Sequence, residues 1–210
     1  MSKIEEVYEL VSIGKAKLVP TAVQGALDEG NEAITILNTM IDAMGAVGEK
    51  FKRNEIFVPE MLVAARAMKR GVDVLRPHLA SGSAGANGKV IIGTVAGDLH
   101  DIGKNLVAMM IESAGFEVID LGVDVPKEKF AETYNANPGV KIIACSALLT
   151  TTMPSLRDTV AYINEQSFRA DVKVLVGGAP ITQAFADEIG ADAYTADAAS
   201  AAEKAKELVA

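Results

Sequence analysis

The chain has 210 residues, half of them hydrophobic and 5% aromatic, with a formal net charge of -8. That length suits two small domains, and apolar content carried by Ala, Val, Ile, Leu and Met suits helices packed on helices and on a parallel sheet. The acidic balance, with no basic residues interleaved with aromatics, argues against nucleic acid as a partner, and the single cysteine, Cys145, excludes an internal disulfide and any multi-cysteine zinc or iron–sulfur site.

The amino terminus, Met1-Ser2-Lys3-Ile4-Glu5-Glu6, is polar and acidic, unlike a signal peptide. No stretch approaches the roughly 20 unbroken apolar residues of a membrane span. A soluble, cytoplasmic protein without a membrane partner is expected. The first half then reads as helices. Ile4, Val7, Leu10 and Val11 recur at helical spacing, and Pro20 opens a second helix carrying Val23, Ala26 and Leu27 before Gly30. Asn31 is the expected N-cap of a third helix, with Ile34, Leu37, Ile41, Met44 and Val47 on one face. Phe57-Val58-Pro59-Glu60 leads into a fourth helix running to about His78. Four helices without a strand signal predict a small bundle over residues 1–86.

Ser81-Gly82-Ser83-Ala84-Gly85-Ala86-Asn87-Gly88 has the composition of a flexible connector, and the domain boundary is placed there. Over 87–210 the rhythm changes. Apolar runs at Lys89 to Val95, Phe116 to Leu121, Lys141 to Ser146 and Lys173 to Val176, with a weaker one at Ala193-Tyr194, alternate with helical stretches. This alternation predicts an α/β fold: a flavodoxin-like (Rossmann-like) sheet of five parallel strands with helices on both faces. Cys145 falls inside a strand and is expected to pack as a small hydrophobe.

Ligands of such sheets bind beyond the carboxyl ends of the strands, near the switch point, and three loops there are unusual. After the first strand comes Gly97-Asp98-Leu99-His100-Asp101-Ile102-Gly103. After the third comes Ser146-Ala147-Leu148-Leu149-Thr150-Thr151-Thr152, and after the fourth Gly177-Gly178-Ala179-Pro180. Imidazole suits a borderline transition metal, and Asp98 could accept the other ring N–H of His100 if the loop turns back. Gly103 would let backbone pass close to a bulky ligand. By itself the motif also fits a surface histidine between two solvated acids. The Ser/Thr loop also fits a capped strand-to-helix turn, and the Gly pair an ordinary tight turn. His78, the other histidine, sits near a helix end, where a partly charged imidazole is favourable. With no other His and no Cys cluster in these loops to complete a site of protein ligands alone, a lone His ligand makes sense for a metal that arrives inside a macrocycle.

Together the three loops resemble the cobalamin-binding domain of methionine synthase and of the small corrinoid proteins of anaerobic methyltransferase systems. The family pattern is D-x-H-x-x-G, then S-x-L about 40 residues on, then G-G nearly 30 later. Here it reads Asp98 through Gly103, Ser146-Ala147-Leu148, and Gly177-Gly178. The likeness continues through Ile189-Gly190-Ala191-Asp192-Ala193-Tyr194 and Asp197-Ala198-Ala199. It also covers the first half, where Gly48-Glu49-Lys50-Phe51 through Phe57-Val58-Pro59-Glu60-Met61 resembles the helical cap of these proteins.

The resemblance implies cobalamin or a related corrinoid as cofactor, with His100 displacing the corrinoid's own base and binding cobalt from below. Asp98 would hydrogen-bond His100, and Thr152, a hydroxyl where methionine synthase has serine, would extend that relay. Asp101 and Gly103 complete the ligand loop. Ser146, Leu148 and Thr150 would line the pocket of the nucleotide tail, and Gly177 and Gly178 would let the tail pass the sheet. Phe51 and Val58, the latter in place of the family's Leu, would shield the upper face.

The implied activity is that of a methyl carrier in one-carbon metabolism, without a complete active site of its own. Cobalt(I) would accept a methyl group from a C1 donor through a substrate-specific methyltransferase. A second methyltransferase would pass it to a tetrahydrofolate or thiol coenzyme, with a reductive activase as a further partner. Methoxylated aromatics, methylamines, methanol and glycine betaine are the candidate donors. A corrinoid-dependent sensor, the cobalamin-binding subunit of a mutase and a non-corrinoid flavodoxin-like binder are the alternatives. Sensors of this kind usually add a DNA-binding or signalling segment, which no stretch here fits, and mutase subunits typically lack the cap.

Overall fold

A computed structural model describes residues 2–79 and 87–210. Residues 81–86 of the predicted connector lie outside them. The chain divides into two compact units, Met1–Ala86 with Ser113–Gly115, and Asn87–Glu112 with Phe116–Ala210.

The first unit contains α1 (Lys3–Ser12), α2 (Val19–Asp28), α3 (Ala33–Lys52) and α4 (Val58–Leu75), followed by a short 3₁₀ turn, Arg76–His78. α1 starts on a capping box: Ser2 Oγ accepts from Glu5 N–H, and the Glu5 carboxylate accepts from Ser2 N–H. Pro20 stands in the first turn of α2, where its missing N–H costs no hydrogen bond. Val7, Val11, Val23, Ile36, Met40, Met61, Met68 and Leu75 are buried between the helices, each contributing about 1.5–3 kcal/mol on leaving water. Gly71 sets the approach of α4 to α2 and α3, since a Cβ there would lie 2.7 Å from Met40 Sδ and 2.9 Å from Val19 Cγ1. One expectation is corrected. The N-cap of α3 is Glu32, and Asn31 instead donates through Nδ2 to Ala26 O at 2.8 Å, tying itself to the end of α2. Only four residues separate the two helices, and the unbonded carbonyls ending α2 claim the amide first. His78 is exposed in the 3₁₀ turn.

The second unit runs β1 (Lys89–Thr94), α5 (Ile102–Ser113), β2 (Glu117–Asp120), α6 (Lys127–Ala136), β3 (Val140–Ser146), α7 (Met153–Asn164), β4 (Lys173–Gly177), α8 (Gln183–Ile189), β5 (Ala193–Tyr194) and α9 (Ala198–Val209). All strand pairs are parallel and the order is β2-β1-β3-β4-β5. The switch point therefore lies between β1 and β3. Register sharpens this: Thr94 pairs with Ser146 and Ser146 with Gly177, so the last residues of three neighbouring strands stand in one row. Ile91, Ile143, Val174 and Val176 pack with Phe130, Leu156, Val160 and Ile163 in one buried cluster. Cys145 joins it, and burial pushes its thiol pKa up, so it stays an inert apolar filler.

Gly178, just past β4, has φ +132, and a Cβ would fall 1.8 Å from the Ala147 carbonyl oxygen. The loop after β4 thus touches the loop after β3 backbone to backbone. Replacing Gly178 with Ala should cost about 3 kcal/mol or more through strain and overlap. Denaturant unfolding of the two proteins checks this, and an unchanged midpoint would contradict the close approach.

Candidate functional site

β1 ends by leaving the sheet into a loop that folds back on Asp98. Its carboxylate has 0% exposure, so it must find its donors inside the protein. Oδ1 faces the main-chain N–H of His100 at 3.1 Å and the ring Nδ1 at 2.7 Å. Oδ2 accepts from Leu148 N–H at 2.7 Å and Thr152 Oγ1 at 2.7 Å, with Leu149 N–H at 3.4 Å. Thr152 Oγ1 is also 2.9 Å from Leu149 O. It has one proton, and the charged acceptor is the stronger claimant. Burial works to raise the Asp98 pKa, but the bonds from Leu148, Thr152 and His100 outweigh it and hold the carboxyl well below the usual carboxylate range.

An ionised carboxylate can only accept, so in the neutral His100 ring Nδ1 carries the proton and Nε2 keeps its lone pair. The His100 side chain is 49% exposed, and among the described residues no hydrogen-bond partner competes for the Nε2 lone pair. Around it the loops show open apolar ground. Leu99, Ile102, Leu148 and Leu149 are exposed, and a Cβ built on Gly103 would meet nothing within 4 Å. Among the described residues no group of three or more His, Cys, Asp or Glu side chains is placed to hold a metal ion. One nitrogen lone pair beside open apolar ground fits a metal carried in by a flat organic ring, and does not fit a bare ion.

Of the residues singled out in sequence, Asp98, His100, Leu148 and Thr152 are brought into direct contact. Leu148 contributes its main-chain N–H, while its side chain is exposed. Asp101 turns the other way, accepting from the Asn105 side chain at 3.1 Å in the first turn of α5. Thr150 is exposed and opens the 3₁₀ turn that ends at Thr152. Gly177 closes β4 in register with Ser146, and Gly178 is small because the Ala147 carbonyl crowds it. In the first unit, half-buried Phe51 lies near the end of α3 and exposed Val58 begins α4.

Three groups escaped the sequence reading. Thr94 is buried at the end of β1, its Oγ1 2.9 Å from both His100 O and Ser146 Oγ. Asp124, at φ +52, accepts from Gly97 N–H at 2.7 Å and donates its own N–H to Asp98 O at 2.9 Å. Lys104 is buried on α5 and grips Asp120 at 2.5 Å, fixing the helix that follows the His100 loop to the end of β2.

Asp98→Asn removes the charge from this network and is expected to lower stability by about 2–3 kcal/mol at neutral pH. Because the native carboxyl titrates below its unfolded value near 3.9, its contribution is full above that value and is lost as pH falls. The stability gap between the two proteins should therefore narrow at about pH 3 relative to about pH 7, measured by urea unfolding. An equal gap at both would contradict an ionised, hydrogen-bonded Asp98.

Comparison with known proteins gives the family. Two family models, each described as a B12 binding domain, match residues 88–205 and 3–76. Dimethylamine corrinoid protein 1 of Methanosarcina acetivorans is 44% identical over 100% of both chains. A cobalamin-binding protein of Desulfitobacterium hafniense superposes with a TM-score of 0.83 at 29% identity, over 99% of this chain and 98% of that one. A chain from the methanol:cobalamin methyltransferase complex of Methanosarcina barkeri gives 0.85 at 25% identity, over 99% of this chain and 79% of that one. The chain belongs to the B12-binding family of corrinoid proteins.

Proposed function

We propose that this protein carries methyl groups on a bound corrinoid, receiving them through one methyltransferase and delivering them through another to a thiol coenzyme or a tetrahydrofolate. The observation that carries the reading is the half-exposed imidazole of His100, tied through Nδ1 to buried Asp98 at the switch point. A corrinoid supplies, when bound, a cobalt centre able to accept and release a methyl group by two-electron chemistry.

The chain's own residues hold and tune that group. His100 would hold the cobalt through Nε2. Asp98 fixes the ring and the tautomer through Nδ1. Thr152 and the N–H groups of Leu148 and Leu149 keep Asp98 ionised and in place. Gly103 leaves room beside the ring. Ser146, Leu148, Thr150 and Gly177 are assigned to the nucleotide tail, and Phe51 and Val58 to apolar contact with the corrinoid.

A methyltransferase as docking partner is supported by the solved methanol:cobalamin methyltransferase complex that contains a similar chain. A relative named for dimethylamine at 44% identity favours methylamines as donors. A reductive activase would return adventitiously oxidised cobalt to its working state. Among the described residues no helix is long and apolar enough to cross a membrane.

The test loads the protein with cobalamin, reduces it, and adds dimethylamine with a dimethylamine-specific methyltransferase, or methanol with its own. Dimethylamine should convert the reduced visible spectrum and release one methylamine per corrinoid. His100→Ala should lower corrinoid affinity or transfer rate by about tenfold or more. No conversion with any donor, together with a light-dependent change of assembly under adenosylcobalamin, would overturn the carrier in favour of a sensor.

A further inference from the structure

Asp98 holds the ring of His100, and a second polar connection holds its backbone. Thr94 Oγ1, 1% exposed as a residue, lies 2.9 Å from the His100 carbonyl oxygen and 2.9 Å from Ser146 Oγ. The direction of both bonds follows from proton counting. A carbonyl only accepts, so the single Thr94 hydroxyl proton goes to His100 O. Ser146 must then donate its own proton to Thr94 Oγ1. The chain Ser146 O–H to Thr94 O–H to His100 C=O therefore runs one way, from the loop after β3 to the loop after β1.

We propose that Thr94 is a positioning residue that couples the contact of a corrinoid's nucleotide tail at Ser146 to the placement of His100. The inference rests on the corrinoid reading given above. A ligand N–H or O–H that donates to Ser146 Oγ polarises that hydroxyl and strengthens both bonds behind it, because linked hydrogen bonds reinforce one another in a low-dielectric interior. The strand register sets the link in place. Thr94 and Ser146 are paired Cα to Cα at the ends of β1 and β3, so the sheet keeps the two hydroxyls within reach of each other. Asp98 lies outside this chain: its bonds reach His100 N and Nδ1, Leu148, Leu149 and Thr152, and none goes to Thr94 or Ser146. The two connections are thus separable by mutation.

Thr94→Val replaces the hydroxyl with a methyl of similar size, and Thr94→Ser keeps it. Each protein is titrated with cobalamin and with cobinamide, a corrinoid without the nucleotide tail. The ratio of the two dissociation constants measures what the tail contributes. In Thr94→Val that ratio should fall about fivefold, while Thr94→Ser should stay within about twofold of the parent. Near-ultraviolet circular dichroism and urea unfolding establish that the variants are folded. If Thr94→Val weakens both corrinoids equally, or neither, the coupling is wrong and Thr94 is only a packing residue. The underlying reading has its own readout. Cobinamide brings no base, so nitrogen splitting in its Co(II) electron paramagnetic resonance spectrum comes from the protein. That splitting should be present in the parent and survive in Thr94→Val. Its absence from the parent would overturn the His100 assignment itself, and this proposal with it.

Discussion

A carboxylate without solvent must be surrounded by donors, and Asp98 collects its donors from two loops that are far apart in sequence. His100 supplies a main-chain and a ring N–H from the loop after β1, and Leu148, Leu149 and Thr152 supply theirs from the loop after β3. Removing one partner of such a group leaves the charge stranded, which costs far more than the bond itself returns. The two loops are therefore locked to each other across the switch point. The ring of His100 inherits that lock: its tautomer, its tilt and the availability of Nε2 all follow from where Asp98 sits.

The sheet makes the lock possible. Parallel register brings Thr94, Ser146 and Gly177 level at the carboxyl edge, so the loops leave from one line. Gly178 then lets the third loop press against Ala147, a contact with no room for a Cβ. On the other side Lys104 and Asp120 pin the start of α5, and Asp124 grips the backbone on both sides of the Gly97–Asp98 peptide. A rigid support of this kind is what a metal ligand needs if its bond to cobalt is to be made and released without the site losing shape. The exposed apolar side chains at the rim, Leu99 and Ile102, are stability-neutral at best in the free protein.

Much of this was legible in the chain. The change of rhythm near residue 87 gave two architectures, and alternating apolar runs located all five strands to within about a residue or two. The three unusual loops were found because strand ends are where such sheets bind ligands. What was hidden is of another kind. Every residue has an N–H, so nothing in the letter Leu at 148 announces that its main chain would serve Asp98. Thr94 reads as one more β-branched strand residue, and only the register that sets it beside Ser146 gives its hydroxyl a role. Asn31 was misassigned because two helix ends compete for one amide within a short turn, and the sequence does not say which wins. The Ala147 carbonyl places a demand of its own on Gly178, which only the folded backbone reveals.

The central claim is that one protein nitrogen, that of His100, binds the cobalt. It is tested most directly by electron paramagnetic resonance of the Co(II) cobalamin-loaded protein produced with ¹⁵N-histidine. A ¹⁴N ligand splits each cobalt line into three, and a ¹⁵N ligand into two. The account predicts that labelling turns the triplets into doublets in the parent, and that labelled His100→Ala shows no doublets. Triplets that persist in the labelled parent would mean that the nitrogen belongs to the corrinoid's own base, and the assignment of His100 would fall.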